Sequence, residues 1–334
     1  MTEKKQKIVI LGATGLIGSY LTDHFALNSS HKIYAIKNKK NFSKRYNNVT
    51  YSSCSISDKG SFKNLPDTAD VVIMLAGILP AGMSDYNPEK YFETNTIGML
   101  NVLEYCRKAK VKQIIYTQTH SDVKGVWGKK TISPYEKPNI DYNNDHTIYV
   151  ISKNAAVDLI KHYNNAYNLN YAIFRCPNIY AWHPDEYYFL DGKKTIIAYR
   201  YFIKRALASL PIEIYGDGKS KRDVVYIKDL IQMIDKAISK EIKNSIYNVS
   251  NGIAISIEEQ IKDIISVFSP KDKPSEVIYR PEIEVVGLNY HYDISNAIEE
   301  LEYKPQYFHI EMLEDMKKEM QYNRLNFTSQ YEKE

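Results

Sequence analysis

Two stretches of this chain, far apart in sequence, carry residue types that could act as one chemical device. The first, Gly12-Ala13-Thr14-Gly15-Leu16-Ile17-Gly18, directly follows the apolar run Ile8–Leu11. The second is Tyr149-Val150-Ile151-Ser152-Lys153. A glycine-rich turn between a strand and a helix can bring backbone amides and the positive end of a helix dipole against a pyrophosphate. In that role Gly12 permits the tight turn, Gly15 lets the backbone approach the ligand, and Gly18 allows helix and strand to pack closely. Thr14, Leu16 and Ile17 complete the binding turn. A tyrosine four residues before a lysine shares its helix face. An ammonium there pulls the phenol down from its ordinary pKa of about 10, so that it can exchange a proton near neutral pH. Together the two stretches describe hydride transfer between a nicotinamide and an oxygen-bearing carbon, with a phenol handling the proton.

Neither stretch is specific alone. With 29 tyrosines in the chain, Tyr/Lys pairs at this spacing arise by chance. Position separates signal from coincidence, so the surrounding elements matter. Strands are expected at Ile8–Leu11, Ile33–Ile36, Val49–Cys54, Asp70–Ala76, Gln113–Thr117 and Tyr171–Cys176. Helical spacing runs through Leu16–Leu27, Tyr91–Ala109 and Thr147–Tyr167. Strands alternating with helices predict an α/β fold of Rossmann type, a doubly wound parallel sheet whose near-continuous apolar strands are covered on both faces. After Cys176 the rhythm breaks, and Pro177–Arg200 reads as aromatic, polar and irregular. Further on, a helix at Tyr201–Ser209, strands at Ile212–Tyr215, Val224–Tyr226 and Ser245–Val249, and helices at Asp229–Ile238 and Ser256–Phe268 predict a smaller, interleaved α/β substrate-binding domain. The Ser256-x-x-Glu259 capping box marks the start of the last helix. The division is residues 1–176 for the dinucleotide domain, 177–322 mainly for the substrate domain, and 323–334 as a polar tail.

Within that frame the second strand ends Ile36-Lys37-Asn38-Lys39-Lys40. The carboxylate that NAD proteins commonly place there for the ribose hydroxyls is missing. A cation-rich turn suits a 2′-phosphate and favours NADP over NAD. Asn38 could still serve NAD, and a solvated basic turn would look the same. A third catalytic hydroxyl should come from the end of the fifth strand. Thr119 is the choice and Thr117 the competitor, and the adjacent His120 reads more readily as a neutral hydrogen-bonding group.

The 334 residues are 44% hydrophobic and 25% charged, with a net charge of +4 from interspersed signs, which predicts a sizeable core and no concentrated basic face for nucleic acid. The three cysteines, Cys54, Cys106 and Cys176, lie far apart, which argues against a disulfide framework and for a reducing, cytoplasmic setting. The first apolar run is too short for a signal peptide or a membrane span. No His-Glu-x-x-His spacing suggests a metal, and no nucleophile elbow suggests a hydrolase.

These motifs together resemble the extended short-chain dehydrogenase/reductases, specifically the NAD-dependent epimerase/dehydratase group that acts on nucleotide sugars. The resemblance runs from about Lys7 to Lys317. Besides the glycine turn and the Tyr/Lys pair, it rests on Asp70–Ala76, Asn95-Thr96-Ile97-Gly98, Arg175-Cys176-Pro177-Asn178-Ile179-Tyr180, Ile214–Gly218, Arg222-Asp223, Tyr247-Asn248-Val249 and Tyr303-Lys304-Pro305. It implies that Thr119, Tyr149 and Lys153 are the catalytic trio. It further implies that Ser55 and Ile56 bracket the adenine, and that Ala76, Gly77, Asn95 and Pro177 line the nicotinamide side. His120, Asn178, Tyr215 and Arg222 would contact a nucleotide-diphosphate sugar, the expected partner, and Lys37 and Asn38 the adenosine ribose. Relatives pair through the helices that correspond to Tyr91–Ala109 and Thr147–Tyr167, which implies a homodimer.

The departures narrow the reaction. Dehydratases of this group carry an Asp-Glu pair just after the catalytic hydroxyl, where this chain has His120 and Ser121, with Asp122 beyond. That leaves an epimerase and a 4-ketoreductase near parity, both working at C4 of the sugar, with a 4,6-dehydratase as the disfavoured alternative. A non-catalytic, nucleotide-binding regulator is the rival from another class. His183 could be an additional acid but reads better as a loop residue.

Overall fold

The computed structural model describes residues 5–42, 44–142, 147–190, 193–285 and 288–322. The polar tail predicted from residue 323 lies outside the described residues. In the first half, β1 (Lys7–Leu11), β2 (Lys32–Lys37), β3 (Val49–Ser53), β4 (Val71–Met74), β5 (Gln113–Thr119) and β6 (Asn170–Cys176) alternate with helices. In the second half come β7 (Asn178–Tyr180), β8 (Tyr187–Leu190), β9 (Lys193–Ile196), β10 (Ile212–Tyr215), β11 (Lys221–Tyr226), β12 (Ser245–Asn248), β13 (Ala254–Ser256) and β14 (Val277–Arg280). The helices are α1 (Leu16–Asn28), α2 (Pro88–Tyr91), α3 (Gly98–Lys108), α4 (Thr147–Tyr167), α5 (Ala198–Leu207), α6 (Ile227–Ser239), α7 (Ile257–Phe268), α8 (Ser295–Leu301) and α9 (His309–Tyr322).

One seven-stranded parallel sheet organises the molecule, in the order β12-β6-β5-β4-β1-β2-β3. Strand β1 is apolar at both alternating sets of positions because both of its faces are covered. Ile8 and Ile10 join one core with Leu21, Phe25 and Phe174. Val9 and Leu11 join the other with Met99, Val102 and Ile160. The chain leaves β1 toward β2 on one side and returns to β4 on the other. That reversal opens a crevice beyond the carboxyl end of β1, the usual binding place in such sheets.

Three smaller sheets complete the fold. β7 pairs with β11, which also pairs with β13. β10 pairs with β14, and β8 and β9 form an antiparallel pair. Pro177–Arg200 is therefore not irregular as expected, since it holds β7, β8 and β9. Local periodicity could not reveal β7, whose ladder partner Val224–Tyr226 lies more than forty residues downstream. The single helix expected at Tyr91–Ala109 is also different. It begins at Pro88, passes through a π-helical stretch at Phe92–Ile97, and becomes regular only at Gly98. At Ser256 both bonds of the capping box form: Ser256 Oγ accepts from the Glu259 amide at 3.1 Å, and Glu259 accepts from the Ser256 amide at 2.8 Å.

The start of α1 is tightly built. Gly12 takes φ +88°, and a Cβ there would stand 2.7 Å from the Ala76 amide nitrogen. A Cβ on Gly18 would lie 2.7 Å from Ala13 Cα. Gly18→Ala should therefore pry α1 from the turn and cost about 1–3 kcal/mol of stability, measured by urea unfolding.

Candidate active site at the switch point

The crevice is walled by the glycine turn, the segments after β4 and β5, and the first turns of α4. Gly15 differs from its two partners. A Cβ on it would meet only the Gly12 carbonyl oxygen, at an ordinary 3.4 Å. Gly15 is exposed, and as the N-cap of α1 it brings no side-chain cap; the first turn holds no acidic residue. Leu16 and Ile17 begin the helix and pack against the core beneath, while Thr14 is half-buried above them. An open backbone surface at an uncapped helix N-terminus fits the pyrophosphate of a dinucleotide. The Gly12, Ala13 and Gly15 amides do not take part, because the first two donate to the Ile36 carbonyl, at 3.1 and 3.0 Å, and the third to the Gly12 carbonyl, at 3.0 Å, which leaves the amides of the first turn of α1 with Gly15 as the open approach to them.

Around this turn the remaining predicted cofactor residues fall at strand ends. Ser55 and Ile56 follow β3. Ile56 is buried, and its carbonyl accepts from Asn101 Nδ2 at 2.9 Å, which ties the loop to α3. Ala76 backs onto Gly12, and Gly77 is exposed beside Asn95. Asn95 sits in the π-helical stretch with its carboxamide spent on protein. Its Oδ1 accepts from the Ile78 amide at 2.9 Å, and its Nδ2 donates to the Ile78 carbonyl at 3.0 Å and to Ser152 Oγ at 3.1 Å. It therefore holds the loop after β4 against α4, and the extra residue of the π-turn is what aims it there. At the end of β2, Lys37 donates to Asn41 Oδ1 and Lys40 pairs with Asp185 at 2.6 Å. Asn38 and Lys39 are exposed.

Chain register brings the catalytic candidates together. Thr119 ends β5 directly opposite Cys176 on β6, and the first turn of α4 carries Tyr149 over them. The Thr119 side chain, not that of Thr117, stands beside the Tyr149 phenol. Its hydroxyl accepts from the Ser121 amide at 3.2 Å. Lys153 Nζ donates to the Thr117 carbonyl at 2.7 Å and lies 4.1 Å from the centroid of the Tyr116 ring. Burial governs both ionisable groups. It raises the Tyr149 phenol well above its ordinary range, and the Thr119 side chain opposes that rise. It pushes Lys153 down to about 7. The sequence predicts a phenol lowered by Lys153; desolvation dominates instead, because the helix face is sealed by Tyr91, Val150 and Ile148.

The Lys153 shift has a consequence for stability. The unfolded chain keeps the lysine protonated up to about 10.5, whereas the folded chain releases the proton near 7. Across that window the unfolded state binds more protons, so stability rises with pH. Relative to Lys153→Met, the wild type should gain stability between pH 7 and 10, as read by denaturant unfolding along a pH series.

On the substrate side, β7 presents Asn178, whose Nδ2 donates to the Tyr290 hydroxyl at 3.2 Å, and Pro177 is buried just before it. Arg222 on β11 bridges to Tyr290. Arg222 and Tyr215 line a cavity of about 430 Å³ with Tyr201, Phe202 and Val285. His120 faces an aromatic group: its Nδ1 is 2.9 Å from the Tyr292 hydroxyl, and its ring centroid is 4.7 Å from that of Trp127. Burial pushes its pKa down to about 3, so it is neutral at physiological pH. His183 is elsewhere, among Asp185, Lys40 and Arg200, with burial pushing it down to about 4. It is a loop residue and does not join the Tyr149 cluster.

Sequence reasoning missed the support beneath the site. Arg175, buried near the end of β6, donates Nε to Asp122 Oδ1 at 3.0 Å and Nη2 to Oδ2 at 3.1 Å. Its Nη1 donates to the Pro134 carbonyl at 3.0 Å and to Asn248 Oδ1 at 3.1 Å. One guanidinium thus ties the turn after Thr119 to β12. The available signal was an arginine within an otherwise apolar strand, Ala172-Ile173-Phe174-Arg175.

A doubly wound sheet with an open glycine turn at its switch point, and a Thr–Tyr–Lys cluster beside it, defines an extended short-chain dehydrogenase/reductase. The chain belongs to the NAD dependent epimerase/dehydratase family, which it matches over residues 8–250, and is accordingly an enzyme of the NAD(P)-dependent, nucleotide-sugar-modifying kind. The putative UDP-glucose 4-epimerase of Methanocaldococcus jannaschii is 29% identical over 267 residues, 77% of this chain and 81% of the relative. UDP-glucose 4-epimerase from Thermotoga maritima, solved with UDP-glucose, shares the fold with a TM-score of 0.78 at 22% identity, covering 95% of this chain and 99% of that one. UDP-glucuronic acid 4-epimerase from Bacillus cereus, solved with NAD, gives a TM-score of 0.71 at 23% identity over 94% and 99%. Among the described residues no helix is long and apolar enough to cross a membrane, and no cluster of three His, Cys, Asp or Glu residues could hold a metal. Cys54, Cys106 and Cys176 are free thiols.

Proposed function

We propose that this enzyme is a nucleotide-sugar 4-epimerase that uses NAD, with Tyr149 as its acid and base. The observation that carries the reading is the Thr119 side chain set beside the Tyr149 phenol at the carboxyl end of β5, with Lys153 one turn along α4. Asp122, the nearest acid after the hydroxyl residue, is held by Arg175. It cannot serve as the proton-removing base that dehydration requires.

Gly15 and the first turn of α1 would hold the pyrophosphate, Ser55 and Ile56 the adenine, and Lys153 the nicotinamide ribose. When bound, the nicotinamide supplies reversible hydride acceptance from C4. Tyr149 takes the C4 hydroxyl proton at its phenolic oxygen and later returns a proton to that oxygen on the other sugar face. Thr119 orients the phenol and shares the substrate oxygen. Asn178, Tyr215 and Arg222 would grip the nucleotide diphosphate, Arg222 through its planar fork. Of the lysines at the end of β2, Lys37 and Lys40 are engaged by Asn41 and Asp185. That favours NAD over the NADP expected from the basic turn, as does NAD bound in a protein of like fold. The exposed Phe92, Ile97 and Tyr167 on the α3–α4 side give a second copy an apolar surface to pack on.

The test is a panel of UDP- and dTDP-sugars followed by NMR of the sugar ring. Interconversion of C4 epimers without net coenzyme consumption is the expected result. Stoichiometric consumption of NADPH with a 4-keto sugar would instead identify a reductase.

A further inference from the structure

The segment Trp182–Leu190 touches the protein on both sides of the glycine turn. At one end it is anchored to α1 and α5. The Trp182 carbonyl accepts from the Tyr20 hydroxyl at 2.8 Å, one turn into α1. The Arg200 guanidinium lies 3.6 Å from the centroid of the Trp182 ring and donates to the His183 carbonyl at 3.0 Å. Asp185 then reaches Lys40, beyond the end of β2, at 2.6 Å. Next, β8 packs against the short helical turn Pro80–Gly82 that follows β4. β2 and β4 are the two neighbours of β1 in the sheet. The segment thus runs between the loop that follows β2 and the loop that follows β4, the two loops that flank the glycine turn.

We propose that Trp182–Leu190 is a clasp over the bound dinucleotide, with the Lys40–Asp185 pair as its latch, and that it keeps the coenzyme on the protein through turnover. This rests on the dinucleotide reading above and deepens it. An epimerase gives back the hydride it takes and has no need to exchange coenzyme, whereas a one-way reductase must release it every cycle. Both Trp182 and Glu186 are held at α5, Glu186 by Arg200 at 3.3 Å, by Lys204 and by the Ile197 amide at 2.9 Å, and the latch lies between these two anchors. Trp182 is packed against the core and Arg200 is buried, whereas the Lys40 and Asp185 side chains each keep 36% of their surface in water. A pair that exposed can part and re-form while the anchors stay in place.

The test measures release of NADH and of NADPH from the full-length enzyme, by chasing the bound nicotinamide fluorescence with excess NAD. Lys40→Glu and Asp185→Lys should each speed NADH release about 3- to 10-fold. The double exchange, which restores an opposite-charge pair with reversed polarity, should return the rate to within about twofold of wild type. Release from the single variants at the wild-type rate, or from the double variant as fast as from the singles, overturns the clasp. If Lys40 served a 2′-phosphate instead, Asp185→Asn would slow NADPH release and leave NADH release unchanged; that result also overturns it. A wild-type protein that binds neither dinucleotide overturns the coenzyme reading itself, and the clasp with it.

Discussion

Tyr149→Phe is expected to bind coenzyme as the wild type does and to lose about 10²- to 10⁴-fold in kcat, the range over which a positioned proton donor and acceptor contributes. The ring is buried at the start of α4 and packs at a tilt against Tyr91, with centroids 5.9 Å apart, so the phenylalanine keeps the apolar contacts. Only the hydroxyl beside Thr119 is removed. Thr119 keeps its contact with the Ser121 amide, so the turn after β5 should hold. Thr119→Val should reduce kcat less, because it removes the orienting hydroxyl and leaves the phenol. The measurement is steady-state epimerisation alongside NADH binding by fluorescence. A Tyr149→Phe enzyme within tenfold of wild-type kcat would end the assignment of the phenol as acid and base. Unchanged kcat with lost coenzyme affinity would move Tyr149 from chemistry to binding.

Arg175→Ala should be the most damaging substitution for stability outside the apolar core, at about 3–5 kcal/mol, because it strands the buried Asp122 carboxylate and several carbonyl groups without donors. Asp122 and Arg175 are both nearly inaccessible, at 2% and 3% exposure, so water cannot replace the lost bonds cheaply. The loop at Ser133–Glu136 and Asn248 on β12 lose their shared anchor at the same time. Urea unfolding of the two proteins under the same conditions gives the difference directly. Arg175→Lys should recover only part of it, because a single ammonium cannot span Asp122, Pro134 and Asn248 together. A loss below about 1 kcal/mol for Arg175→Ala would show that the network contributes little beyond packing.

The legible part of this protein was the part written in local grammar. An unbroken apolar run, glycines three residues apart, and a helix with tyrosine and lysine on one face each depend on neighbours in the chain. For that reason β1, α1 and α4 and the crevice they frame follow from residue order. What order could not supply was every contact made between distant segments. Nothing near Asn95 in the chain says that its carboxamide closes on Ile78 and Ser152, or that a π-turn bends the helix to deliver it. Nothing near Lys40 in the chain announces its ion pair with Asp185. β7 had no local signature because its ladder partner is remote, and desolvation of Tyr149 and Lys153 exists only once α4 has docked on the sheet. Side-chain period and turn chemistry are properties of a few consecutive residues, whereas pairing, burial and pKa belong to the packed whole.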